Sequence, residues 1–177
     1  MKRLAIIVSL VLTAIPVAWR VVEACGDKLL LVGHGVKFDR AYASAYPGTI
    51  LLYARPGSDP KAPIRDPKLH KMLRQAGHGL SVIESGPLLE QALRTVPVDV
   101  VLADVSEASM LEGLASASPA RPDVRYVLYK LANKEEAKRL QQQYLCPLKS
   151  SDNPIKYLDV IEETMKARTA ARRAGKK

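Results

Sequence analysis

The sequence predicts an α/β domain: a doubly wound, five-stranded parallel sheet between two layers of helices. Three observations predict it. From Thr49 onward, short apolar and β-branched runs alternate with segments whose apolar residues recur at helical spacing. The connections between them are short and marked by Gly, Pro, Asn and Asp. The run Val98–Asp104 (VDVVLAD) is almost continuously apolar, as a strand buried on both faces requires. A chain of 177 residues is long enough to bury one sizeable core.

Each element has its own signal. Thr49 to Ala54 (TILLYA) is the first strand, followed by a loop holding Pro56, Pro60 and Pro63. Asp66 is expected to cap the first helix, with Pro67 in its first turn. Leu69, Met72, Leu73 and Ala76 make its inward face, and Gly77 and Gly79 end it. Leu80 to Glu84 is the second strand. Gly86-Pro87 opens a helix expected to turn Leu88, Leu89, Ala92, Leu93 and Val96 inward. Val98–Asp104 is the third strand, and Ser106 is expected to cap a third helix bearing Met110, Leu111 and Leu114. Arg125 to Tyr129 is the fourth strand. Asn133, with Glu136 three residues on, has capping-box spacing ahead of a helix with Ala137, Leu140 and Tyr144. Leu145 to Lys149 is the fifth strand. Asn153-Pro154 starts the last helix, with Ile155, Leu158, Ile161 and Met165 inward. The expected strand order is 2-1-3-4-5. Sites in such sheets lie at the carboxyl ends of the strands, which carry Ala54 and Arg55, Asp104, Tyr129 and Lys130, and Lys149.

The chain divides into residues 1–24, 25–48, 49–166 and 167–177. Met1-Lys2-Arg3 precedes a mostly apolar run from Leu4 to Ala18, the pattern of an export signal. The run is short for a membrane span, and extending it would take in Arg20. Val22-Glu23-Ala24 offers a cleavage site before Cys25; an uncleaved anchor is the alternative. The expected location is the periplasm or the outer face of a membrane, for a bacterial source. Cys25 then has three readings: a lipidated first residue, a disulfide with Cys146, or a free thiol. Lipid and disulfide exclude each other, because both use the same sulfur. Residues 25–48 form an extension, in which Leu29–Val32 reads as a strand, Gly33-His34-Gly35 as a turn and Phe38–Tyr46 as a short helix.

Charge narrows the function classes. The net charge is +9, but residues 25–165 hold 18 basic and 17 acidic side chains. The basicity is concentrated at the ends, above all in Lys166, Arg168, Arg172, Arg173, Lys176 and Lys177. A nucleic-acid-binding domain is therefore disfavoured. The basic end reads as a solvated helix terminus, with weak contact to an anionic membrane as the alternative. Two cysteines and three scattered histidines show no metal-ligand spacing. Gly33–Gly35 lacks the spacing of a phosphate loop, and the serine-rich stretches have no partners for a catalytic triad. His70 and His78 read as surface residues. Phe38, Tyr42 and Tyr46 share one helix face that is expected to pack on the domain.

From Ile50 to about Lys166, the segments ILLYARP, LHKMLRQAGHGLSVIES, LLEQALRTVPVDVVLADVS, RYVLYK and CPLKSSDNPIKYLDVIEETM resemble the receiver domain of two-component response regulators. The resemblance implies a flavodoxin-like fold in which a carboxylate accepts a phosphoryl group beside a bound Mg²⁺. Asp104 matches the phosphoacceptor and Lys149 the lysine that contacts the modified group. The acidic pair that holds the ion is missing: its positions read Ala54 and Arg55. Tyr129 or Lys130 stands where a small hydroxyl residue is expected, and Ser150 where a proline follows the lysine. Arg55 is expected to pair with Asp104 and take the cation's place. Asp66 offers itself as a substitute ligand, but its place before Pro67 makes it a cap. With these departures the resemblance implies an exported, non-catalytic, receiver-like interaction module, not an enzyme. No cofactor or metal is expected, and the partner is an unknown protein. Asp104 and Lys149 would be a vestigial polar pair satisfying each other. The alternative is a phosphorylatable receiver with Asp104 as phosphoacceptor.

Overall fold

The computed structural model describes residues 43–131, 133–144 and 147–175. Five strands, β1 (Thr49–Tyr53), β2 (Gly79–Ile83), β3 (Val100–Asp104), β4 (Asp123–Leu128) and β5 (Leu148–Lys149), form one parallel sheet in the order β2-β1-β3-β4-β5. Five helices alternate with them: α1 (Pro67–Gln75), α2 (Gly86–Thr95), α3 (Ala108–Ala117), α4 (Lys134–Gln143) and α5 (Pro154–Ala174). The result is the predicted three-layer, flavodoxin-like sheet.

Period-two alternation sorts the strands' side chains between two cores. Ile50 and Leu52 of β1, with Val100 and Leu102 of β3, meet Leu69 and Leu73 of α1 and Leu158, Ile161 and Met165 of α5. Leu51 and Tyr53, with Val101 and Ala103, meet Leu89 and Leu93 of α2 and Leu111 of α3. On the same side Tyr126 packs against Tyr144, just past α4, with ring centroids 4.5 Å apart. Because β1 and β3 are covered on both faces, their apolar runs are nearly unbroken.

Three caps act as expected. The Asp66 side chain accepts from Lys68 N at 2.8 Å, Asn133 from Glu136 N at 2.7 Å, and Asn153 from Ile155 N at 2.9 Å. Ser106 does not cap α3. Asp104 accepts from Ser106 N at 2.9 Å and starts a 3-10 turn, Val105–Glu107, that delays α3 to Ala108. Leu88 and Val96 are exposed, at 56% and 45%, rather than inward. Leu89 and Leu93 define the buried stripe of α2. Leu88 is rotated off it by one residue, and Val96 lies beyond the helix in extended backbone. Ile155, in the first turn of α5, is 48% exposed although its spacing groups it with Leu158. The strand β5 is shorter than expected, since Pro147 has no N–H for a ladder.

Residues 43–46 are not helical. Their N–H groups go elsewhere: Ser44 N to Ala76 O at 2.9 Å, and Ala45 N to Glu162 Oε1 at 3.0 Å. Ser44 Oγ also donates to Glu162. The end of the extension is thus tied to α1 and α5, and Tyr46 packs against the core between them. The expected signal (1–24), Cys25, Leu29–Val32, Gly33–Gly35, Phe38 and Tyr42 lie outside the described residues, as do Cys146, Lys176 and Lys177.

Candidate functional site

The carboxyl ends of the strands bring the predicted site residues to one rim of the sheet. Ala54 follows β1, is buried, and extends its ladder through Ala54 N to Ile83 O at 3.0 Å. Arg55 follows and points outward, with a 60% exposed side chain. It does not pair with Asp104. Its Nε lies 3.3 Å from Oε1 of Glu107, a carboxylate that is only 8% exposed and also accepts from Ser106 Oγ at 3.1 Å. The physical reason is local. Asp104 is held by its cap bond at the start of the 3-10 turn, and that same turn carries Glu107 back under the rim. Burial, and then the nearby Glu107 charge, pushes the Tyr53 hydroxyl above its ordinary range.

A second group of contacts crosses the rim. Asp59, in the β1–α1 loop, pairs with Lys130 and accepts from Tyr129 Oη at 2.8 Å and Lys61 N at 2.8 Å. The hydrogen bond from Lys130, then those from Lys61 N and Tyr129, hold the Asp59 carboxyl well below the usual carboxylate range. The same partnership raises Lys130 and Tyr129. Lys130 takes a left-handed backbone, φ 50°, rare outside glycine. The loop is braced again by Arg65, which pairs with Glu84, donates to Ser58 Oγ at 3.1 Å and reaches Arg55 O at 3.1 Å. Between this loop and the β5–α5 turn lies a cavity of about 330 Å³, lined by Lys61, Arg65, Asp66, Ser150, Asp152 and Tyr157 among others.

Lys149 ends β5 with an exposed side chain. Its backbone N–H meets Asp152 Oδ2 at 2.7 Å and its carbonyl accepts from Tyr157 Oη at 3.1 Å. Among the described residues no ion pair joins Lys149 to Asp104, so the two do not satisfy each other as expected. The donor set does not fit Mg²⁺, which needs several hard oxygen ligands. Ala54 offers none, Arg55 brings a like charge, and among the described residues no cluster of three His, Cys, Asp or Glu could hold a metal.

The opposite end of the sheet holds a network that was not among the expected sites. Asp99, 7% exposed, accepts from Thr49 N at 2.9 Å and from Arg172 at 2.5 Å, with Arg168 Nε at 3.7 Å. Arg168 also pairs with Asp123 at 2.8 Å. Two of the six cations assigned to the basic end are therefore engaged within the fold, and α5 runs through that stretch to Ala174. Lys166 and Arg173 are exposed. His78 is buried, not on the surface. Its Nδ1 accepts from Gly48 N at 3.3 Å, its Nε2 has no partner, and burial lowers its pKa.

Sequence reasoning passed over Asp59, Asp99 and Glu107. Asp99 had a signal, a carboxylate inside the apolar run VDVVLAD, which demanded a cation. Among the described residues no helix is long and apolar enough to cross a membrane. No family model matches the chain, and neither a curated protein nor a solved structure matches it.

Proposed function

We propose that the chain is an exported, receiver-like interaction module without phosphotransfer activity. The observation that carries the reading is the Arg55–Glu107 pair. Arg55, with Glu107 as its buried counter-ion, falls at one of the two positions where the receiver resemblance expects an acid to hold a divalent cation. Asp104 keeps the position of a phosphoacceptor, yet its carboxylate is engaged as a backbone cap. Tyr129 is committed to Asp59 instead of offering a small hydroxyl beside Asp104. A rim so cross-linked suits a surface recognised in one fixed shape by a protein partner. The exposed cations Lys166 and Arg173 add a weak attraction to anionic membranes. Export, read from residues 1–24, separates the domain from cytoplasmic phosphoryl donors.

The rival reading is a phosphorylatable receiver, favoured by the partial exposure of Asp104 at the end of β3. Incubation with acetyl phosphate and Mg²⁺, with beryllofluoride in parallel, separates the two. The expected result is no modification of Asp104 by intact mass. Stoichiometric phosphorylation would overturn the proposal in favour of the rival. Intact mass of the protein recovered from its native source tests cleavage, lipid and disulfide together.

A further inference from the structure

The two edge strands of the sheet differ in how they are guarded. β5 is two residues long, follows Pro147 and ends in Lys149 with an exposed side chain. Short length, proline and lysine each discourage a further strand. β2 (GLSVI) has none of these: it is five residues long and carries neither charge nor proline. Among the described residues only β1 pairs with it. Gly79 N donates to Gly48 O at 3.0 Å and Ile83 O accepts from Ala54 N at 3.0 Å, so Gly79, Ser81 and Ile83 turn their backbone groups toward β1. Alternation then points the N–H and C=O of Leu80 and Val82 off the open side. The Val82 side chain is exposed, as is that of Leu88 in the first turn of the helix that follows. We propose that this edge is the docking site of the run Leu29–Val32 of the same chain, added as a sixth strand.

The chain itself provides the occupant. Leu29–Val32 is the one four-residue apolar run in residues 25–42, which lie outside the described residues. Lys28 and Gly33 bound it at the length of a short strand. The described chain starts beside the entrance to β2, where Ser44 N donates to Ala76 O at 2.9 Å at the end of α1. The twelve steps from Val32 to Ser44 reach up to about 40 Å, against about 17 Å for the whole of β2. The connection is long enough for either strand direction. Burial agrees with this placement. α1 packs on one face of the sheet and α2 on the other, so a strand beside β2 meets a helix layer on both faces. Such a strand needs apolar side chains on both faces; alternation puts Leu29 and Leu31 on one and Leu30 and Val32 on the other. Two copies of β2 meeting edge to edge would instead set Gly79 and Ser81 in the interface, with less apolar surface to cover. The proposal is independent of the receiver-like reading, since it uses none of Arg55, Asp104, Glu107 or Lys149.

The test is amide-resolved hydrogen exchange of the full chain, followed by NMR at two protein concentrations. The amides of Leu80 and Val82 face away from β1, so their protection reports on a strand at the open edge. In wild type they are expected to exchange slowly, and at least tenfold faster in Leu30→Pro or Leu31→Pro. Adjacent strand residues point their N–H groups to opposite sides, so one of the two prolines must remove a ladder bond whatever the register. The amides of Leu52 and Leu102, in the centre of the sheet, should keep their rates in both variants, which separates undocking from misfolding. Wild type should also show cross-strand amide contacts between Leu29–Val32 and β2, a readout that needs no variant. Fast exchange of Leu80 and Val82 in wild type, absence of those contacts, or rates unchanged in both variants overturns the proposal. Protection that grows with protein concentration assigns the edge to a second copy and overturns it equally.

Discussion

Arg172, near the end of α5, reaches the buried carboxylate of Asp99 at the entrance to β3, with Nη2 and Oδ1 2.5 Å apart. The same carboxylate accepts the first N–H of β1 through Thr49 at 2.9 Å. One side chain therefore joins two central strands to the last helix. Its removal strands a buried N–H and leaves Arg168 short of a partner, whereas Arg172 is 56% exposed and can return to water. Asp99→Ala is expected to cost about 2–4 kcal/mol, and Arg172→Ala about 1 kcal/mol or less. Urea denaturation of the two variants checks the asymmetry; equal losses would refute it.

Gly48 and Gly113 should respond to alanine in opposite ways. A Cβ at Gly48 would collide with the Met165 side chain, at 2.8 Å from its Sδ, and with Asp99 Oδ2 at 2.9 Å. The carboxylate cannot retreat without loosening Thr49 and Arg172. A loss of about 1–3 kcal/mol is expected for Gly48→Ala. Gly113 lies inside α3 with nothing within 4 Å of the added atom. Gly113→Ala should stabilise by about 0.5–1 kcal/mol through helix propensity. Thermal melts of both variants decide, and a gain at Gly48 would contradict the packing argument.

His78 makes folding sensitive to mild acid. Its Nδ1 is an acceptor for Gly48 N–H, so the neutral ring carries its proton on Nε2. A second proton would set two donors against each other. Burial lowers the folded pKa, against a partial opposing effect of Glu162. The unfolded state, at about 6.5, then binds more protons as pH falls. The His78 contribution is complete above that value and is lost as pH drops from there toward the folded pKa. Stability curves at pH 7.5 and 5.5 should show this loss in wild type and a smaller one in His78→Gln. Identical losses would assign the slope to other groups.

The Asp59 contacts latch the β1–α1 loop to the end of β4. Asp59→Asn keeps the shape but loses the ion pair to Lys130. Limited trypsin digestion at Lys61 and Arg65 should then speed up several-fold, with little change in the melting temperature. Since the folded carboxyl is depressed, the latch is present above the ordinary aspartate range, about 3.9, and fails only as pH falls through the lower folded value. Unchanged cleavage rates would show that Arg65 alone secures the loop.

Much of the fold was legible because its signals are local. The run TILLYA, the cap at Asp66 and the Asn153-Pro154 start each state their element within a few residues, and alternation with short connections leaves few parallel topologies. Boundaries slipped where a local rule met a competitor. Asp104 captured the backbone that Ser106 was expected to cap, and Pro147 shortened β5. The candidate rim was legible as a set of positions, because strand ends collect at one edge whatever their side chains.

What the sequence by itself determined was the order of strands and helices, the two-sided burial of β1 and β3, and which residues reach the carboxyl rim. Only the tertiary structure decided who pairs with whom. Arg55 found Glu107 instead of Asp104, Asp59 crossed 70 positions to Tyr129, and Arg172 crossed 73 to Asp99. Periodicity reports which face of an element is buried, because burial acts on every residue of a stripe. An ion pair depends on the meeting of two side chains from distant elements, fixed only once those elements have packed.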